Sequence, residues 1–458
     1  MADHTVTMEA TLLALLNEKK YFSLRDILTT MNPADIAAIF DELEEDRLPL
    51  LFRLLPKELA ADTFVEMEPE AQELLIRGFS DSELKEVIDE LYVDDAVDIV
   101  EEMPANVVRR ILRQADPDMR KQINEILRYP EDSAGSIMTT EYVTLRPDMT
   151  VEEAIKRIRR TGIDKETIYT CYVTQDRKLI GLATVKDLLL CEDDDEIISQ
   201  IMEENVISVN TLEDKEEVAQ MFSKYNFLAL PVVDTEGRLV GIVTFDDAMD
   251  VMEDEATEDM EKMAAMLPSE KPYMRSSIFA IWKNRIPWLL LLMVSATFTG
   301  MILNHFEEAL AAQIVLTSFI PMLMDTAGNS GSQTSVTVIR GLSLGEIELR
   351  DLPKVLWKEC RVAILCGLTL AVAVYLKILL IDKMLLGGEG ITFPVMLTVC
   401  ITMVVTVLCA KLVGGTLPIV AEKLGFDPAV MASPFITTIV DALALLVYFQ
   451  VATALLHL

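Results

Sequence analysis

Two regimes of hydrophobic patterning divide the chain. Up to about residue 280, apolar positions recur at helix or strand spacing among charged ones. After Arg285 they become nearly continuous, beginning with IPWLLLLMVSATFTGMILNHF. A run of that length covers the roughly 30 Å hydrocarbon core of a bilayer. The pattern predicts five membrane-spanning helices: one from about Ile286, then about Ala309–Gly341, Val362–Ile381, Ile391–Leu412 and Pro428–Leu456. Five such segments in succession, with almost no charge, argue against buried helices of a soluble protein.

The front half carries two internal repeats. DELEEDRLPLLFRLLPKELAADTF from Asp41 is answered 48 residues later by DELYVDDAVDIVEEMPANVVRRIL from Asp89, which sets Pro56 against Pro104. Helical units repeated at that period stack to share a core, predicting an all-α superhelical domain over residues 1–130. Further on, IMTTEYVTLRPDMTVEEAIKRI from Ile137 matches IMEENVISVNTLEDKEEVAQMF from Ile201, and GLATVKDLL from Gly181 matches GIVTFDDAM from Gly241. Each copy reads strand, helix, strand, strand, helix. The duplicated pattern resembles a tandem pair of CBS domains, an α/β module over 131–252 with copies at about 134–191 and 198–251. A connecting helix is expected over 253–284, mainly Glu253 to Met274, ahead of a membrane domain over 285–458.

Charge sharpens this picture. From residue 281 onward there are 12 acidic and 11 basic residues, leaving 62 of the chain's 74 acidic and 29 of its 40 basic residues ahead of that point. Such a front half repels nucleic acid and anionic lipid and concentrates cations. The N-terminal residues MADHTVTMEATLLALL lack a basic start and a small-residue cleavage site, so a cytosolic front half is expected. With that end inside, Lys283, Arg285, Arg340, Arg350, Lys354, Lys358, Arg361, Lys411 and Lys423 fall at cytosolic edges, and only Lys383 lies in an outer loop. The positive-inside rule then places the C-terminus outside the inner membrane. The six cysteines form no C-x-x-C pair and suggest neither a zinc site nor a disulfide framework.

Polar residues within the spans carry the chemistry, because lipid-facing carboxylates are costly. Asp441 stands near the middle of the last span, and Asp325 stands in the second, just before TAGNSGSQTS. The segment from Pro321 to Gln333, with Gly328, Asn329, Ser330 and Gly331, and the segment Gly414-Gly-Thr-Leu-Pro418 read as helix breaks whose freed carbonyls line a cavity. Thr438 and Ala442 flank Asp441 at one turn and one residue, and join the expected ion path.

Pro321, Gly328-Asn329-Ser330-Gly331 and Gln333 resemble the signature of the MgtE magnesium channels and transporters. The order of helical repeat, CBS pair, linking helix and five spans is similar across essentially the whole chain. The resemblance implies a homodimer with its pore on the dimer axis between the second and fifth spans. It implies Asp441 as the selectivity carboxylate, and Asp427, in Gly-Phe-Asp-Pro-Ala, as a carboxylate at the intracellular pore mouth. Asp441 is followed by Ala-Leu-Ala where such proteins have a small-residue pattern ending in glycine, which puts close packing of that helix in question.

The acidic front half suits a sensor that closes the pore when cytosolic Mg²⁺ is high. Its candidate ligands are Asp246, Asp247, Asp250, Glu255, Glu258 and Asp259 around the connecting helix, facing Asp94, Asp95 and Asp98, with Asp214 and Glu216 nearby. Bound Mg²⁺ bridges surfaces that otherwise repel. Asn226 is an amide where the resemblance calls for a sensor carboxylate. Some CBS pairs bind ATP; Tyr169, Lys186 and Asp187 resemble base-, phosphate- and ribose-contacting positions, with Phe227 and Leu228 lining the base.

Mg²⁺ dehydrates reluctantly, so a carboxylate pair across a twofold axis holds it through its waters. No Walker A loop is present, and the expected function is passive Mg²⁺ entry without enzymatic activity. A divalent-cation carrier of broader specificity (Co²⁺, Mn²⁺, Ca²⁺) fits the same residues. Two rivals remain. An intramembrane serine protease would use Ser330, but the histidines His4, His305 and His457 all lie away from mid-span. A receptor whose spans merely report CBS occupancy has no use for Asp441.

Overall fold

The computed structural model describes residues 11–269, 273–274, 276–387, 390–431 and 433–457. Parts of two expected segments, residues 1–10 of the helical domain (with His4) and 270–272 and 275 of the connecting segment, lie outside the described residues. The chain forms two compact units, residues 1–252 and 253–458.

After a helical stretch over residues 11–17, the first unit continues with short helices: α1 (Tyr21–Leu28), α2 (Pro33–Asp41), α3 (Leu48–Phe52), α4 (Lys57–Val65), α5 (Pro69–Gly78), α6 (Asp81–Ile88), α7 (Val93–Glu102), α8 (Ala105–Gln114) and α9 (Pro117–Ile126). The repeat is visible in their starts. Pro33 and Asp81, Lys57 and Ala105, and Pro69 and Pro117 open equivalent helices. Local chemistry fixes these starts. Asn32 and Asp116 accept backbone N–H groups ahead of a proline at the first helical position, and Ser80 and Glu83 form a reciprocal capping box. Phe52, Phe64 and Phe79 meet in the core with ring centroids 5.4–6.5 Å apart.

The CBS pair follows as two three-stranded sheets. The first holds β1 (Val143–Leu145), β2 (Thr170–Gln175) and β3 (Lys178–Thr184), with α10 (Val151–Thr161) between β1 and β2 and α11 (Val185–Leu190) after β3. A one-turn helix, α12 (Ile198–Ile201), precedes the second copy: β4 (Val209–Asn210), α13 (Lys215–Tyr225), β5 (Ala229–Val233), β6 (Leu239–Thr244) and α14 (Phe245–Met263). In each sheet the first pairing is parallel and the second antiparallel. The duplicated Ile-Met and Gly motifs are physically linked across the copies. A methyl on Gly241 would meet Met138 Sδ at 2.5 Å, and one on Gly181 would meet Met202 Sδ at 2.7 Å. Each copy therefore needs a glycine where the other copy's methionine lies against it.

In the second unit α14 ends at Met263, earlier than expected. Ala265 takes φ 54°, and Met266 N donates to Glu261 O at 2.9 Å, a left-handed cap that satisfies the last carbonyls. Pro268 follows, and proline disfavours helix at the residue before it. The remaining helices are α15 (Ile278–His305), α16 (Glu307–Ala312), α17 (Ile320–Ser343), α18 (Leu352–Lys377), α19 (Phe393–Lys423) and α20 (Ser433–Leu456). Helix α15 starts eight residues before the predicted first span, and α18 passes into π-helix over Ile378–Leu385.

Among the described residues, four segments are long and apolar enough to cross a membrane: Ile278–His305, Leu349–Leu385, Phe393–Lys423 and Pro428–Leu456. The expected second span differs. It starts at Ile320 rather than near Ala309, and its 24 residues, about 36 Å of helix, are not among the four. The polar run TAGNSGSQTS dilutes its apolar character.

The two expected helix breaks are corrected. Pro321 sits in the first turn of α17, where its missing N–H costs nothing, and Gly328 to Gln333 continue as helix. Helix α19 likewise runs unbroken through Gly414, Gly415 and Pro418. The glycines serve packing instead. A methyl on Gly414 would lie 2.3 Å from Gly331 O, so α17 and α19 touch backbone to backbone there. Of the two alanines after Asp441, Ala444 packs closely, buried with Ala327, Ala410, Ile436 and Val440, whereas Ala442 is partly exposed.

Candidate ion pathway and cation-sensing site

Helix α17 has two faces. Ala327, Gly328, Ser330, Gly331, Thr334, Ser335 and Val338 are buried within the unit, whereas Asp325, Asn329, Gln333, Val336 and Thr337 are exposed. Their spacing of three and four residues makes one stripe, and an open groove of about 620 Å³ runs along it, lined by Asn329, Ser332, Gln333, Val336 and Thr337. Asp441 of α20 is partly buried beside this helix: a methyl on Gly328 would lie 3.7 Å from its Oδ1, and its charge interacts with Asp325. Thr438 and Ala442 are partly exposed near Asp441, and the Thr438 hydroxyl donates to Pro434 O at 2.9 Å. The structure thus lines Asp325, Asn329 and Gln333 along one stripe of α17 and sets Asp441, with Thr438 and Ala442 near it on α20, against Gly328. Ser330, by contrast, is buried.

A second cluster joins the end of α14 to the segment before α20. Lys262 Nζ pairs with Glu258 Oε1 at 2.7 Å and with Asp427 Oδ2 at 2.6 Å. Asp427 Oδ1 accepts from Ala429 N at 2.7 Å, and the Ser343 hydroxyl donates to Asp259 Oδ2 at 3.4 Å. Burial, then repulsion from Asp427, raises the Asp259 carboxyl above its ordinary value; its hydrogen bonds to both carboxylates outweigh burial and raise the Lys262 ammonium. Met263 packs with Ile339 and Ala429 alongside. The structure therefore places Glu258, Asp259 and Asp427 together, with a lysine among them that sequence reasoning overlooked. Its i,i+4 spacing from Glu258 was the available signal.

The third cluster lies in the first unit, where α7 meets the start of α14. Asp94 is buried at 6% exposure, and its Oδ1 has no hydrogen-bond partner. Burial and then the charge of Asp95 raise Asp94; burial and then Asp94 raise Asp247. Asp95 is pushed up to about 7 by burial and by Asp247 and Asp246. Asp98 is raised by burial and then by Asp247, Asp94 and Asp95, although its side chain keeps contact with water. Two members had no sequence signal. Glu166, raised to about 9 by burial and then Asp94 and Asp95, comes from the loop before β2, and Glu141 Oε2 accepts from Val93 N at 3.2 Å. Among the described residues, no lysine or arginine is paired with Asp94, Asp95, Asp98, Asp247 or Glu166. Nor, among them, do three acidic, histidine or cysteine side chains stand in direct ligating geometry.

Other expected members have different places. Asp214 caps α13, accepting from Glu216 N at 2.8 Å. Asp250 and Glu255 lie farther along α14, the first exposed and the second partly so. Asn226 closes α13 in the left-handed conformation at φ 56°, a position asparagine tolerates well.

Three family models match the chain: the MgtE divalent cation transporter over residues 320–451, the MgtE intracellular N domain over 31–132, and the CBS domain over 134–192 and 198–254. The magnesium transporter MgtE of Thermus thermophilus is 38% identical over 96% of this chain and 97% of its own length. The magnesium transporter MgtE of Bacillus subtilis is 32% identical over 97% of each. This chain belongs to the MgtE family. The cytosolic domain of the Mg²⁺ channel MgtE, crystallised in complex with ATP, matches with TM-score 0.51 and 38% identity over 53% of this chain and 99% of that one.

Within this MgtE-family chain the five nucleotide candidates fall in two places. Tyr169, exposed at 67%, lies beside Lys186 and Asp187, since Val185 N donates to Tyr169 O at 3.0 Å. Phe227 and Leu228 line a pocket of about 390 Å³ in the second copy with Phe222, Phe245, Met249 and Met252. Asp187 also closes a capping box with Thr184, and Asp247 accepts from the Thr244 hydroxyl. The duplicated Thr-x-x-Asp pattern is thus first a helix start.

Proposed function

We propose that this chain is a magnesium channel or transporter of the inner membrane that works as a homodimer and closes when cytosolic Mg²⁺ rises. The observation that carries the reading is the exposed stripe Asp325, Asn329, Gln333 on α17, next to Asp441. A polar, acidic helix face left open in one membrane-embedded chain needs water or a second copy against it. A twofold axis along this groove would set two Asp441 carboxylates about a hydrated divalent ion and complete α17 as the second of five spans. The front half then lies in the cytosol and the C-terminus outside, in keeping with the basic residues at one edge.

The membrane potential supplies the driving force, about 2.3 kcal/mol per charge per 100 mV and roughly twice that for Mg²⁺. The acidic clusters supply the stop. Mg²⁺ among Asp94, Asp95, Asp98, Asp246, Asp247 and Glu166 relieves repulsion that no basic residue among the described ones neutralises. At Glu258, Asp259 and Asp427 it adds to what Lys262 already does, tying α14 to the mouth of the pathway. Mg²⁺ binds the closed arrangement better than the open one, which shifts the population.

ATP binding at the CBS pair is supported by the ATP complex of the similar cytosolic domain. Tyr169, Lys186 and Asp187 would hold the nucleotide, with Phe227 and Leu228 offering apolar surface. A broader divalent carrier remains the second reading, favoured by the all-oxygen character of Asp325, Asn329, Gln333 and Asp441. Uptake into proteoliposomes, with Mg²⁺ competed by Co²⁺, Mn²⁺ and Ca²⁺, separates the two. The proposal expects Mg²⁺ to be preferred; equal uptake of all four selects the carrier.

A further inference from the structure

Lys411 falls at the edge of a span in the sequence pattern but is 5% exposed within the helical unit. Its ammonium is held by a compact arrangement from three helices. Nζ of Lys411, on α19, donates to Thr334 Oγ1 of α17 at 3.1 Å. That hydroxyl in turn donates to Glu359 Oε2 of α18 at 2.9 Å. Lys411 Nζ and Glu359 Oε2 stand 3.6 Å apart, so the threonine hydroxyl completes the pair rather than merely lying near it. Gly415 of α19 borders the arrangement, its Cβ position lying at van der Waals distance from Thr334 Cγ2 (3.6 Å) and Glu359 Cγ (3.8 Å). One turn away is the backbone contact between Gly331 and Gly414.

We infer that Lys411 and Glu359 are positioning residues for the ion pathway, fixing the rotation of α17 so that Asn329 and Gln333 face the ion. The inference rests on the pathway reading above. Ionisable groups inside a membrane domain are costly, and packing alone has no need of them. A buried ion pair is poor evidence of stability but a good device for register, because each charge accepts only one arrangement of its partner. Thr334 follows Gln333 directly and points to the buried side of α17, while Gln333 points to the exposed side. A turn of α17 that broke the Thr334 contacts would carry Gln333 and Asn329 out of line. The pair does not touch the ion.

The test uses the full chain in proteoliposomes, measuring the Mg²⁺ uptake rate and the ratio of Ca²⁺ to Mg²⁺ uptake. Lys411→Met and Glu359→Gln are each expected to lower Mg²⁺ uptake at least tenfold and to raise the Ca²⁺ to Mg²⁺ ratio. The double variant is expected to recover both to within threefold, since neither charge is then left unpaired. A double variant no better than the worse single, or singles with an unchanged ratio, overturns the inference. Should a single variant not accumulate, Thr334→Val removes the shared hydroxyl at nearly constant volume. It is expected to shift the ratio in the same direction, and an unchanged ratio overturns the inference equally. Failure of the pathway reading itself is distinguishable, because Asp441→Ala would then leave uptake intact whatever the pair does.

Discussion

The Lys262 ammonium lies 2.6 Å from Asp427 Oδ2, tying the end of α14 to the segment that leads into α20. A tethered cation thus occupies part of the junction where the account also places Mg²⁺. It holds two carboxylates at once, Asp427 and Glu258, and leaves Asp259 raised by burial and by Asp427.

Lys262→Met therefore leaves the junction purely acidic. Without Mg²⁺ its carboxylates repel, and with Mg²⁺ no ammonium competes for them. Uptake at low Mg²⁺ is expected to rise, and the ratio of uptake at low to millimolar internal Mg²⁺ to grow about fivefold or more. Proteoliposomes loaded with a range of Mg²⁺ concentrations check this. A wild-type ratio would show that the ammonium plays no part in closure.

The cluster around Asp94 makes a pH prediction. Asp95 and Glu166 have folded-state values near 7 and 9, above those of an unfolded chain. Between the unfolded and folded values the folded state binds more protons, so stability falls as pH rises through that window. In the absence of divalent cations, resistance of the front half to proteolysis should decline from about pH 5 to pH 9. Millimolar Mg²⁺ should flatten the decline. Asp94→Asn should raise cation-free resistance at pH 8, equivalent to about 1–3 kcal/mol, while weakening the response to Mg²⁺. Resistance that climbs with pH, or ignores Mg²⁺, contradicts the sensor.

Gly414→Ala would put a methyl 2.3 Å from Gly331 O, so α17 and α19 must separate. Overpacking of this kind costs about 1–3 kcal/mol. The thermal transition in detergent should fall, together with uptake. Gly300, with open space around its Cβ position, is the matched control and should accept alanine with neither effect.

How much was legible beforehand follows from the range of each interaction. The repeat from Asp41 to Asp89 and the paired Gly181 and Gly241 motifs announced themselves because each copy solves the same local packing problem. Asp441, Asn329 and Gln333 were legible because a polar residue in an apolar run is conspicuous. The helix breaks were misread: proline and glycine at 321, 328 and 414 have the same composition whether a helix stops or merely starts or packs there. Glu166 and Glu141 join Asp94 only through tertiary contact, and nothing around them in the chain marks them. Lys411 was assigned to a cytosolic edge by its position, whereas Glu359 and Thr334 on other helices draw it inside.

The central claim is that Asp441 passes the ion. It is tested most directly by Mg²⁺ uptake into proteoliposomes holding an inside-negative potential, with the Asp441→Ala chain compared with wild type at equal reconstituted protein. The account predicts a loss of at least about tenfold, the factor corresponding to roughly 1.4 kcal/mol, with proteolytic protection of the front half by Mg²⁺ retained. Uptake at the wild-type rate would contradict it.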